Sequence, residues 1–84
     1  MKVLVVYDIS QDKERGKVAE ICLDYGLERI QKSAFLGELS ETLRQRLVGE
    51  LKEKLVGKTF NLQVFELDKN SAKKRLVFEA KKKG

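Results

Sequence analysis

The segment Lys2-Val3-Leu4-Val5-Val6-Tyr7-Asp8-Ile9 decides the fold, because a nearly unbroken β-branched and apolar run ends on a carboxylate. A run of that kind predicts a strand buried on both faces, in the middle of a sheet. Asp8 then stands where the sheet meets solvent, a usual place for a metal or a reacting group. Just downstream, Asp12 is placed to cap a helix. Its Val18, Ile21, Cys22 and Tyr25 fall at i, i+3, i+4 and i+7, and Gly26 is positioned to end it. A single apolar stripe packs on a sheet.

Between Leu27 and Leu39, β-prone residues gather around Ile30 and Phe35, and Gly37 predicts a bulge or bend, in one bent strand or two short ones. Ser40 is a good N-cap for a second helix. There Leu43, Leu47, Leu51 and Leu55 recur every fourth residue, joined by Val48, with Gly57 just beyond the end. Phe60, Leu62 and Val64 alternate with Asn61 and Gln63, as in a half-buried strand. Phe65 and Leu67 then move to the other side, which predicts that both faces are covered at that end. Asp68-Lys69-Asn70-Ser71 reads as a turn, and Arg75 to Ala80 as a last strand with Leu76 and Phe78 on one side. The order predicts an α+β, ferredoxin-like βαββαβ sandwich with an extra C-terminal strand. It forms a single domain over residues 1–80, followed by a solvated basic tail at 81–84.

Composition narrows the chemistry. At 84 residues a core is only marginally stable alone, so dimerisation would help. Cys22 is the single cysteine and there is no histidine, so neither a zinc finger nor a Cys-His nucleophilic pair can be built. Any hydrolysis is then most simply the work of a metal-activated water held by carboxylates. The net charge of +5 favours a polyanionic partner. No run approaches the roughly 20 apolar residues of a membrane span, and the start lacks the apolar stretch of a signal peptide. The chain reads as cytoplasmic, with no membrane partner.

Three motifs stand in order: Tyr7-Asp8-Ile9; Asp12-Lys13-x-Arg15-x-Lys17-Val18; and Gly26-Leu27-x-Arg29-Ile30-Gln31-Lys32-Ser33-x-Phe35-x-Gly37-x-Leu39-Ser40. In this the chain resembles the small CRISPR-associated endoribonuclease family, the smaller of the two proteins of the spacer-acquisition complex. The resemblance implies a two-fold homodimer whose last strand lies against the partner's sheet. It implies that the Asp8 carboxylates of the two subunits face each other and share Mg²⁺. It makes Arg15, Lys17, Arg29 and Lys32 basic positions for phosphate binding or nuclease activity, and places Ser33 and Phe35 near the metal region and the interface. It also implies CRISPR integrase dimers as partners, bridged during spacer acquisition. Members of the family are described as cutting single-stranded RNA, as cutting duplex DNA and as inactive.

The residues themselves support a graded reading. One Asp8 offers too few oxygens for Mg²⁺, which wants near-octahedral oxygen coordination, so a two-fold axis would supply the second carboxylate. Catalysis then rests on Asp8, with Arg15 or Arg29 stabilising charge on the phosphodiester. Arginine's planar fork suits bidentate phosphate contacts, which ranks Arg15 and Arg29 above Lys17 and Lys32. Tyr7 alternates with Asp8 and points to the opposite face, as a core aromatic with a polar tip. Phe35 reads first as a core or interface residue, Cys22 as a buried structural thiol, and Asp12 as a cap rather than a ligand. Lys73-Lys74-Arg75 suits either a phosphate backbone or a charged strand edge.

Three functions follow from different classes: a Mg²⁺-dependent endonuclease of RNA or duplex DNA, a non-catalytic DNA-binding scaffold of the acquisition complex, and a toxin-type ribonuclease of related fold. An RNA-recognition motif is disfavoured, since the chain lacks its Lys/Arg-Gly-Phe/Tyr-type sequence.

Overall fold

The computed structural model describes residues 1–67 and the backbone of a strand at 73–80. The elements are β1 (Lys2–Asp8), α1 (Asp12–Asp24), β2 (Glu28–Gln31), β3 (Ala34–Glu38), α2 (Glu41–Leu55), β4 (Phe60–Leu67) and β5 (Lys73–Ala80). The sheet runs β2-β3-β1-β4-β5 with every neighbouring pair antiparallel. This is the expected α+β ferredoxin-like order with one added C-terminal strand. The Asp68–Ser71 turn, the 81–84 tail and the side chains of Lys73, Lys74 and Arg75 lie outside the described residues.

Strand β1 is central, as its apolar run predicts, but it is buried on one face only. Val3, Val5 and Tyr7 face the core, while Leu4 and Val6 on the other face are half-buried. The reason lies in the crossovers: residues of both helices join the same cluster. Val18, Ile21, Cys22, Leu47, Val48, Leu51 and Leu55 pack with Val3, Val5, Tyr7, Phe35, Leu62 and Val64. Among the described residues, no layer covers the other face of the sheet. Side chains across paired strands share a face, so Leu4, Leu36 and Phe65 lie in one row there.

Helix α1 buries Val18, Ile21 and Cys22 of its predicted stripe, with Tyr25 half-buried at its C-cap, but Asp12 does not cap it. Gln11 occupies the N-cap without a side-chain bond, and Asp12 is the first helical residue, paired with the Arg15 guanidinium. Its charge favours the helix N-terminus all the same. The far end closes as predicted. Gly26 takes φ +82°, which lets its N–H reach the Leu23 carbonyl (2.9 Å) and the Leu27 N–H reach the Cys22 carbonyl (3.1 Å).

The Leu27–Leu39 stretch is two strands, β2 and β3, joined by a turn at Lys32 and Ser33. The bulge falls in β2, where the register shifts between Arg29 and Gln31, and not at Gly37. Gly37 keeps a regular pair with Val3, and its lack of a side chain answers a different need. A Cβ there would meet the Leu27 Cδ2 at 2.7 Å and its Cα at 3.2 Å, so the chain entering β2 crosses close over β3.

Ser40 caps α2, its hydroxyl accepting from the Leu43 N–H at 3.2 Å. Leu47, Val48, Leu51 and Leu55 are buried as expected, whereas Leu43 in the first turn is 41% exposed. Leu43 lines a shallow groove of about 310 Å³ with Asp24, Tyr25 and Arg46. Strand β4 alternates without interruption, and among the described residues of the single chain only one face is buried at its end. Phe65 and Leu67 are half-buried on the open face. The inward position between them belongs to Glu66, buried and ion-paired to Arg44 of α2 at 2.7 Å, out of hydrogen-bond alignment. Strand β5 begins two residues earlier than expected and pairs with β4 of its own chain, from Phe60↔Ala80 to Leu67↔Lys73.

Cys22 is fully buried among these side chains, and burial pushes its thiol up from 9.0 to about 12, against a smaller opposing pull from Arg29. The native protein is therefore expected to resist thiol alkylation at pH 8 and to react once unfolded in urea. Because the folded thiol titrates above the unfolded one, its contribution to stability is complete below pH 9 and lost as the pH rises towards 12. Alkylation of the native protein at the rate of a free thiol would contradict this burial.

Candidate nucleic-acid and metal site

The predicted residues converge on one end of the sheet without all sharing a face. Asp8 closes β1 on the open side, exposed and opposite Asn61 of β4. Its carboxylate forms no hydrogen bond or ion pair with another described residue. Asn61 escaped the sequence reading, because only the β1–β4 register brings the two together. Its side-chain oxygen already accepts from the Gln63 amide at 3.2 Å.

Next to Asp8, the Tyr7 N–H donates to the Ser33 carbonyl at 3.0 Å, which pins the β2–β3 turn against the end of β1. Ser33 is half-buried and Lys32 beside it is exposed, so both stand at the Asp8 end of the sheet. Arg15 reaches the same end from the first turn of α1. One of its nitrogens lies 3.5 Å from the Ile9 carbonyl and the other pairs with Asp12, tying the β1–α1 loop together. Lys17, farther along α1, is exposed.

Tyr7, Phe35 and Arg29 form a second group on the helix-covered side of β1. Tyr7 and Phe35 stack with centroids 6.3 Å apart and planes 16° from parallel. Arg29 pairs in register with Phe35 and lays its guanidinium carbon 5.1 Å from that ring's centroid. Burial pushes the Tyr7 phenol up, opposed by a hydrogen bond from Arg29 and by the charges of Arg29 and Arg15. The structure thus separates two residues that the sequence reading joined in one reaction: Asp8 is on the open face and Arg29 on the other.

The donor set bears on a metal. Among the described residues no three of His, Cys, Asp or Glu cluster. At this end of the sheet, among the described residues, one chain therefore offers a hard cation the Asp8 carboxylate without two further acidic ligands beside it. That fits a site shared across a two-fold axis and does not fit a self-contained one. Among the described residues no helix is long and apolar enough to cross a membrane.

Comparison with known proteins gives a consistent result. The family model described as "CRISPR associated protein Cas2" matches residues 1–75. A protein of Chloroflexus aurantiacus named CRISPR-associated endoribonuclease Cas2 2 is 47% identical over 79 residues, spanning 94% of this chain and 93% of its own. A Thermoproteus tenax protein named as a fusion of CRISPR-associated endonuclease Cas1 and endonuclease Cas2 is 41% identical over 71 residues, 84% of this chain and 27% of the fusion. The crystal structure of Streptococcus pyogenes Cas2 at pH 6.5 superposes with a TM-score of 0.72 at 31% identity, covering 83% of this chain and 89% of that one.

Proposed function

This chain belongs to the CRISPR-associated Cas2 family, and from that premise we propose that it acts as a two-fold homodimeric, Mg²⁺-dependent endonuclease. The observation that carries the reading is the exposed Asp8 carboxylate, free of partners among the described residues, on the sheet face that the helices leave open. Leu4, Val6, Leu36 and Phe65 are half-buried on that same face. A second copy docked there would remove their remaining apolar surface from water and bring a second Asp8 towards the first. Two facing carboxylates repel one another, so the pair favours a divalent cation. Mg²⁺ bound there would supply Lewis-acid activation of a water for attack on a phosphodiester. Asp8 holds the cation; Arg15, Lys17, Arg29 and Lys32 hold the strand by its phosphates. The substrate is RNA, duplex DNA or both.

Repurified protein is expected to scatter light as a dimer at micromolar concentration and to cut a single-stranded RNA or a duplex DNA with Mg²⁺, stopping with chelator. A monomer under those conditions, or cutting that ignores chelator, would defeat the proposal.

A scaffold role coexists with this one. Its support is the placement of Arg29 away from Asp8, which lets phosphate binding proceed without chemistry, together with the existence of a relative fused to Cas1. In this role the dimer bridges integrase dimers in a larger acquisition complex. Either role requires binding that is tolerant of sequence and weakens with salt, by roughly 0.9 released counterions per phosphate contact on a duplex. Arg15→Ala and Arg29→Ala are each expected to flatten the salt slope. Equal affinity at low and high salt would indicate a partner other than a polyanion.

A further inference from the structure

We propose that Tyr7 and Phe35 are positioning residues that hold the Arg29 guanidinium, on the side of β1 opposite Asp8, as the receptor for a backbone phosphate. The inference rests on the nucleic-acid reading above and assigns the two aromatics a role within it. Tyr7 is 4% exposed and Phe35 0%, so neither touches a bound strand directly. Arg29 is exposed, and its guanidinium carbon stands 5.1 Å from the centroid of the Phe35 ring, which is itself stacked on Tyr7. Whatever the two aromatics contribute to binding therefore passes through Arg29.

The arrangement is rigid where it has to be. Phe35 is locked in the core cluster and stacked with Tyr7, and the β2 bulge just after Arg29 breaks the ladder beside it. The Phe35 ring supports the guanidinium and leaves its N–H fork for a phosphate, whose two free oxygens match it bidentately. Holding a long, flexible side chain in advance lowers the entropy lost on binding. Arg15 also acts electrostatically on Tyr7, so a second guanidinium stands near the same end of the strand and adds to the local positive field. The scissile phosphate at Asp8 and the phosphate at Arg29 are then different phosphates of one strand, which passes round the end of β1.

Two measurements test this. In the wild-type protein, the NMR signal of the Arg29 Nε–H, assigned with Arg29→Lys, is expected to be displaced by the Phe35 ring current, and to return to the position of exposed arginines in Phe35→Leu. A wild-type signal already at that position overturns the proposal, whatever the binding data. In a double-mutant cycle with a labelled duplex DNA and a labelled single-stranded RNA, Phe35→Leu is expected to weaken binding roughly fivefold, the scale of one exposed cation–π contact. The same change should have no further effect once Arg29→Ala is present. Additive losses overturn the proposal, because Phe35 would then act without Arg29. If the wild-type protein binds neither probe, the receptor role falls with the nucleic-acid reading, and the ring-current result still decides whether the aromatics fix Arg29.

Discussion

Asp8→Asn is expected to abolish Mg²⁺-dependent cleavage while leaving the fold, the dimer and the basic surface in place. The amide keeps the shape of the side chain and removes the charge that attracts the cation. Even changes to outer-shell partners of a metal site cost about 10–100-fold, so loss of a direct ligand should lower the rate by at least about a hundredfold. The substitution is structurally mild for a reason visible in the fold: Asp8 is the exposed last residue of β1, and its carboxylate supports no other described side chain. Removing two facing negative charges should, if anything, favour the metal-free dimer. Spacer integration with the partner enzyme is expected to survive the same change where the dimer serves only as a bridge. A repurified Asp8→Asn protein that cuts at the wild-type rate would remove the nuclease reading and leave the scaffold.

Glu66→Leu alone is expected to destabilise the protein by about 3 kcal/mol or more, and adding Arg44→Met to recover most of the loss. The Arg44 and Glu66 side chains are only 17% and 11% exposed and are paired at 2.7 Å between α2 and β4. Removing one partner strands a charge in a poorly solvated place, whereas replacing both with apolar side chains of similar volume removes the desolvation cost along with the attraction. Against the roughly 5–15 kcal/mol that holds a domain together, the single change is severe. Urea denaturation at fixed protein concentration measures it, since the proposed dimerisation would make the midpoint depend on concentration. A single variant within about 0.5 kcal/mol of wild type, the size of an ordinary surface change, would mean that the ion pair is as well hydrated as a surface one.

Most of the architecture was legible because it is written in local patterns. The stripe Val18-Ile21-Cys22-Tyr25, the Ser40 cap and the alternation from Phe60 to Val64 each name an element within one or two turns of chain. Each depends on periodicity and backbone chemistry that act over a few residues. The same locality explains the misreadings. Asp12 and Gln11 are both polar and adjacent, and only the structure shows that Gln11 occupies the N-cap while Asp12 opens the first turn, paired with Arg15. Gly37 signals a bulge when read alone, but the residue that needs it, Leu27, lies ten positions away in sequence and across a strand in space. Glu66 in an apolar strand end looks like an outward residue until α2 brings Arg44 over it.

For the candidate site the division is similar. The identity of Asp8 and the opposite orientation of Tyr7 follow from strand alternation, a property of the backbone itself that needs no partner. The absence of histidine and the single cysteine rule out a zinc finger and make carboxylates the simplest metal ligands, again from composition alone. What faces what was decided only by the fold. The antiparallel register β3-β1-β4 sets Asn61 opposite Asp8 and Ser33 beside Tyr7. The pairing of β2 with β3 puts Arg29 over Phe35, on the far side of β1 from the carboxylate. Local sequence specifies each strand's two faces, but the choice of face that meets the helices, and so which side chains come together, belongs to long-range pairing between segments tens of residues apart.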